Sequence, residues 1–160
     1  MDIKVYTDSD WAGCSKTRKS TSGVVLQILG CIVTALSRTQ QVLALSSGEA
    51  ELYAMGTGVL EALRLRSFLV ESGLASRIDV TLHTDSSAAK SMASRFGATR
   101  RTRHIELRCL YLQNLIQSGT IRLSKIAGSG NVSDIMTKYV SSEILRRHVS
   151  SLGLVHMSDT

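Results

Sequence analysis

Residues 82–86 read Leu-His-Thr-Asp-Ser, and residues 5–9 read Val-Tyr-Thr-Asp-Ser. In both, a run of strand-forming residues stops at an aspartate (IKVYT, 3–7, before Asp8; IDVTLHT, 78–84, before Asp85). If the two strands run parallel and adjacent, both carboxylates leave the sheet at the same end. Neighbouring strands lie roughly 4.8 Å apart, and the two metal ions of a phosphoryl-transfer site sit about 3.5–4 Å apart. A carboxylate pair at strand spacing can therefore bridge two ions with one member and hold one ion with the other. Ligands of open α/β sheets also gather beyond the carboxyl ends of strands. A single strand-end aspartate is more often only a turn cap; the matched pair is what points to chemistry.

Working outward, a polar loop with Gly13 follows the first strand, and two apolar runs, 23–28 and 31–37, flank Gly30 in the manner of a hairpin. The first three strands are thus expected to be antiparallel. From about Ser47 the apolar period changes: Leu52, Met55, Val59 and Leu63 form the stripe of a core-facing helix, capped by Ser46 or Ser47 and stopped near Gly73. Gly56 and Gly58 weaken that helix locally and allow a kink. After the strand at 78–84, Ser86 or Ser87 starts a short helix reaching about Ser94. A second helix is expected over about 104–117, a fifth strand over 120–126, and a late helix from near Asn131 after a Gly/Ser loop (Gly128 to Gly130). The order βββαβααβα defines an α/β layer architecture: a five-stranded mixed sheet, three antiparallel strands then two parallel ones, flanked by helices on both faces.

The chain of 160 residues suits a single domain, expected over residues 1–140, with residues 141–160 a C-terminal helical extension or tail of it. It enters its apolar alternation at Ile3, directly after Met1-Asp2, as a domain taken from a longer chain would. No apolar run is long enough for a membrane span and no signal-peptide pattern is present, so no membrane partner is expected. The three cysteines, Cys14, Cys31 and Cys109, form neither a disulfide framework nor a zinc pattern. Cys31 and Cys109, set among apolar residues, are expected to be buried thiols, in a reducing intracellular compartment. The net charge of +6 is concentrated: Arg95, Arg100, Arg101, Arg103 and Arg108 lie with His104 in one segment, and Lys16, Arg18 and Lys19 share a turn. Two basic clusters together favour phosphate contacts.

Six blocks then carry a specific resemblance: YTDSDWAG (6–13), RKSTSG (18–23), ALSSGEAELYA (44–54), HTDSSAA (83–89), RTRHIELR (101–108) and SDIMTK (133–138). In this order they resemble the ribonuclease H domain of copia-type (Pseudoviridae-like) retrotransposon Pol polyproteins, from Val5 to about Val140. The resemblance implies a ribonuclease H fold and a two-metal endonuclease that hydrolyses the RNA strand of RNA/DNA hybrids during reverse transcription, leaving 5′-phosphate and 3′-hydroxyl ends. It implies four catalytic, metal-binding carboxylates: Asp8, Glu51, Asp85 and Asp134. Hard Mg²⁺ ions, which Mn²⁺ can replace, prefer such oxygen donors. One ion would activate the attacking water and the other would stabilise the leaving oxygen.

Asp10 lies beyond the first strand and reads as a turn or rim residue. Glu49 stands about 200° around a helix from Glu51, so only one of the two can face the metals, and the matching block favours Glu51. Arg101, Arg103 and His104, before or at a helix start, form a phosphate cradle in prospect, though His104 could equally be a cap. Glu106 reads as an ion-pair partner of Arg103 or Arg108. Many cellular ribonucleases H carry a mobile histidine before the last acid; here the loop Ala127 to Ser133 has none. Contacts to the 2′-hydroxyls of a hybrid are expected from Ser9, Ser47 and Ser86, with Ser22 and Ser46 also in position. Trp11 is either a stacking or a packing residue. The expected partners are the hybrid and the reverse transcriptase domain of the same polyprotein, in a cytoplasmic virus-like particle. The competing reading is a catalytically inactive ribonuclease H-like binding or spacer domain, which would have lost one or more of the carboxylates.

Overall fold

The computed structural model describes residues 1–95, 97 and 106–154. Five strands, β1 (Asp2–Ser9), β2 (Thr21–Ile28), β3 (Cys31–Thr39), β4 (Asp79–Thr84) and β5 (Arg122–Lys125), form one sheet in the order β3-β2-β1-β4-β5. β1, β2 and β3 pair antiparallel, while β1 with β4 and β4 with β5 pair parallel. The β2–β3 hairpin closes through Leu29 (φ 53°) and Gly30 (φ 82°), two residues of positive φ as a type I′ turn requires.

Among the described residues four α-helices flank the sheet: α1 (Ser47–Glu71), α2 (Ser87–Ser94), α3 (Glu106–Gln117) and α4 (Ser142–Ser151). α1 packs its stripe on one sheet face, where Leu52, Met55 and Val59 meet Ile3, Val5, Val24, Leu26 and Leu82, all fully buried. Each such side chain contributes roughly 1.5–3 kcal/mol of hydrophobic stabilisation. The helix runs unbroken through both glycines. Gly58 is where it touches the sheet: a Cβ there would lie 2.7 Å from Thr7 Cγ2 and 2.9 Å from Val5 Cγ1. A smaller cluster of Val25, Val132 and Leu152, with Tyr6 and Ile32 against it, covers the opposite face. α4 joins that layer through buried His148 and through Gln27 Nε2, which donates to Ser151 O at 3.2 Å. Residues 142–154 therefore pack on the same sheet.

Three local expectations are corrected. The segment after Asn131 forms a 3₁₀ turn, Val132–Met136, rather than an α-helix. It is held short because Asn131 ties it to β1, donating from Nδ2 to Thr7 O at 3.0 Å, and because it lies flat on Gly23. β5 is shorter than the expected strand over 120–126, four residues instead of seven. Cys31 is exposed, at the outer edge of the sheet on β3, whereas Cys109 is buried.

Candidate active site

The register that pairs Tyr6 with His83 brings Asp8 level with Asp85 when continued by two residues. Asp8 ends up almost wholly enclosed, at 1% exposure. Asp134 reaches the same place from the opposite sheet face, in the first turn of the 3₁₀ segment, which Asn131 and its partner Ser133 fix to β1. One carboxylate oxygen each of Asp8, Asp85 and Asp134 lie within 4.8 Å of one another. Gly128 leaves room for this cluster, since a Cβ there would stand 3.2 Å from Asp85 Oδ2.

Glu51 arrives from α1 and lies outside that group of three. Its Oε1 accepts from the Ser9 N–H at 3.3 Å, and its Oε2 is buried with no hydrogen-bond partner. Burial first, then the negative charges of Asp8 and Asp85, raise its carboxyl to about 8. Asp134 is also raised, by burial and then by Asp8. An orphaned buried carboxylate oxygen beside three converging acids is costly for the protein alone. It fits a set of oxygen donors for a hard divalent cation.

Glu49 has a different task. Ser46 caps α1, accepting from the Glu49 N–H at 3.2 Å, while the Glu49 carboxylate accepts from Leu45 N–H (2.9 Å) and from the Tyr53 hydroxyl (2.6 Å). This variant of the capping box turns Glu49 away from the acids and leaves Glu51 facing them. Asp10 closes the β1–β2 connection by accepting from the Thr21 N–H.

Of the serines, Ser9 is buried, its hydroxyl accepting from Gln40 Nε2 at 3.3 Å; its link to the acids is the backbone bond to Glu51. Ser47 is exposed at the start of α1, and Ser86 caps α2, accepting from Ala89 N–H at 3.1 Å. The two helix starts are neighbours, because Gly48 lets α1 approach Ala88 and Met92. Trp11 is half exposed and donates from Nε1 to Ala44 O at 3.1 Å. Arg101, Arg103 and His104 lie outside the described residues, as does the side chain of Glu106.

Two features carry no role in the motif reading. Thr137 donates its hydroxyl to Asp8 Oδ2, and the Lys138 ammonium sits 3.1 Å from the same oxygen and 3.4 Å from Asp134 Oδ1. The four-residue spacing from Asp134 to Lys138 was the available signal. The other feature is a cavity of about 570 Å³ between β3, α1 and α3, lined by Arg38, Gln40, Tyr53, Arg108 and Tyr111 among others. The Arg108 guanidinium covers the Tyr53 ring at 4.6 Å. Gln40 joins this cavity to the acids, since its Nε2 donates to Ala50 O (2.8 Å) as well as to Ser9.

A 3-2-1-4-5 mixed sheet with acids at the carboxyl ends of its central parallel pair defines the ribonuclease H fold. A ribonuclease H1 isolated from compost by a metagenomic approach superimposes with a TM-score of 0.63 at 14% identity, over 92% of this chain and 98% of that one. The same enzyme in complex with an RNA/DNA hybrid gives 0.58 at 14% identity, over 84% and 93%. No protein-family model matches. In sequence, the retrovirus-related Pol polyprotein from transposon TNT 1-94 of Nicotiana tabacum is 31% identical over 138 residues, 86% of this chain and 10% of that protein. The Pol polyprotein from transposon RE1 of Arabidopsis thaliana is 24% identical over 157 residues, 98% of this chain and 11% of its own length. The chain is thus similar to one segment of the Pol polyproteins of plant transposons, and its fold is that of ribonuclease H. It spans about a tenth of the length of these relatives. Among the described residues, no helix is long and apolar enough to cross a membrane.

Proposed function

We propose that the domain is a ribonuclease H that cuts the RNA strand of RNA/DNA hybrids with two Mg²⁺ ions, for which Mn²⁺ substitutes. The observation that carries this reading is the convergence of Asp8, Asp85 and Asp134 within 4.8 Å, with the unpartnered oxygen of Glu51 buried beside them. Asp8, Glu51, Asp85 and Asp134 would hold the ions. When bound, the ions supply activation of the attacking water and stabilisation of the leaving 3′ oxygen, giving 5′-phosphate products.

The chain's own residues position the substrate. The adjacent starts of α1 and α2, with Ser47 and Ser86, present backbone N–H groups suited to a phosphate or a 2′-hydroxyl beside the acids. The cavity with Arg38 and Arg108 offers two guanidiniums and two aromatic rings for the second strand. The segment with Arg101, Arg103 and His104 is assigned to the hybrid backbone. The reverse transcriptase region of the same polyprotein is the expected partner, within a cytoplasmic virus-like particle.

The test is cleavage of an end-labelled RNA/DNA hybrid with Mg²⁺ or Mn²⁺, beside duplex RNA and duplex DNA. Cutting of the hybrid alone is expected, with Asp85→Asn reducing the rate by at least about 10³-fold, the scale of losing a transition-state electrostatic contact. Asp85→Asn that keeps most of the activity overturns the metal assignment. A wild-type domain inert with both metals, also when joined to its reverse transcriptase region, would instead make it a binding or spacer module.

A further inference from the structure

Asp8 is the most enclosed of the four acids, and among the described residues its ion-pair partner is a single side chain. The Lys138 ammonium lies 3.1 Å from Asp8 Oδ2, 3.2 Å from Asp8 Oδ1 and 3.4 Å from Asp134 Oδ1. Both oxygens of Asp8 are thereby engaged, one of them also by the Thr137 hydroxyl. Lys138 is itself 44% exposed in its side chain, so the ammonium can leave towards water without disturbing the core. Its backbone cannot leave, because Lys138 N–H donates to Asp134 O at 2.9 Å and closes the turn.

We propose that Lys138 is a built-in counter-ion that holds Asp8 and Asp134 together and competes with the divalent metal for them. This rests on the metal reading above. A divalent ion needs direct contact with carboxylate oxygens at about 2.0–2.1 Å for Mg²⁺. The same oxygens cannot serve it at full strength while an ammonium stands against them, because two cations at that range repel strongly at low effective dielectric. Metal loading therefore requires the Lys138 side chain to withdraw. In exchange, the lysine ties Asp8 to Asp134 and keeps the Asp134 turn seated before any metal arrives. Lys138 is a positioning residue in this account.

The experiment uses Mn²⁺ alone as probe, on the whole chain, with free Mn²⁺ read by electron paramagnetic resonance. Lys138→Met keeps the aliphatic stem and removes the charge; Lys138→Arg keeps the charge. Lys138→Met is expected to bind Mn²⁺ on the order of tenfold more tightly, with Lys138→Arg near wild type. In EDTA, Lys138→Met should also melt lower than wild type, and saturating Mn²⁺ should remove that difference. Equal or weaker Mn²⁺ affinity in Lys138→Met overturns the proposal and leaves the metal site standing. Absence of Mn²⁺ binding in both wild type and Lys138→Met removes the metal reading and this proposal with it.

Discussion

Gly23 shows how much of the site depends on one missing methyl group. It pairs with Asp8 across β1 and β2, and the 3₁₀ turn bearing Asp134 lies directly over it. A Cβ at this position would stand 2.7 Å from Thr137 Cγ2, 2.8 Å from Met136 Cβ and 2.8 Å from Ser133 O. Two of these neighbours are close to or part of the backbone, so relief must come from lifting the turn. Gly23→Ala is expected to cost about 1–3 kcal/mol, the range for overpacking a tight contact. It should also weaken Mn²⁺ binding, because Asp134 moves away from Asp8. Urea unfolding and Mn²⁺ titration of the same variant measure both effects. A variant as stable as wild type would mean that the turn is not seated as tightly as this packing requires.

At the scale of the element, α1 carries two glutamates two residues apart with opposite duties. Glu49 serves the helix: it caps Leu45 N–H and receives the Tyr53 hydroxyl. Glu51 serves the acid cluster and leaves one buried oxygen without a partner. Glu49→Ala should therefore destabilise by about 1–3 kcal/mol, through a lost cap and an orphaned Tyr53 hydroxyl. Glu51→Gln should leave metal-free stability at pH 8 unchanged or raised, while Mn²⁺ binding and hybrid cleavage collapse. Denaturant unfolding in EDTA at pH 8, paired with Mn²⁺ titration, separates the two; the opposite pattern would exchange their roles. In the sequence the choice of Glu51 rested on the matching block alone, although the Ser46-x-x-Glu49 capping-box spacing carried a local signal for Glu49's duty. The mixed sheet, three antiparallel strands then two parallel, followed from alternation, hairpin chemistry and the two strand-end aspartates. What escaped were features set by tertiary contact. The short turn at Val132–Met136 is held by Asn131 reaching β1, across 124 positions of chain. Lys138 meets Asp8 across 130 positions, which no local period encodes. Cys31 sits in an apolar run but on an edge strand, where alternation does not reveal which face is covered.

Across the whole molecule, two sheet faces deliver negative charge to one point: α1 brings Glu51 from the large core, and the 3₁₀ turn brings Asp134 from the small one. The fold thus holds together, before any cation is added, carboxylates that repel one another, and Lys138 offsets only part of that charge. Stability must then depend on pH in a stated direction. Glu51 is raised from its usual 4.5 to about 8, by burial and by Asp8 and Asp85, and Asp134 is raised as well. Between those limits the native chain holds protons that the unfolded chain has released, so stability falls as pH rises. For Glu51 the contribution is fully present below about 4.5 and lost as pH passes about 8. The gap of 3.5 pKa units (8 − 4.5) sets a ceiling of about 5 kcal/mol. In EDTA, the unfolding free energy is expected to decline between pH 5 and 8, and Glu51→Gln should flatten most of that slope. With saturating Mn²⁺ the sign reverses over the same window, because the metal takes deprotonated oxygens and its binding free energy adds to folding. Urea unfolding at four or five pH values, with and without Mn²⁺, reads both slopes. A metal-free stability that stays level or rises from pH 5 to 8 would mean that Glu51 is already ionised in the folded chain and that the acids are not crowded as the structure has them.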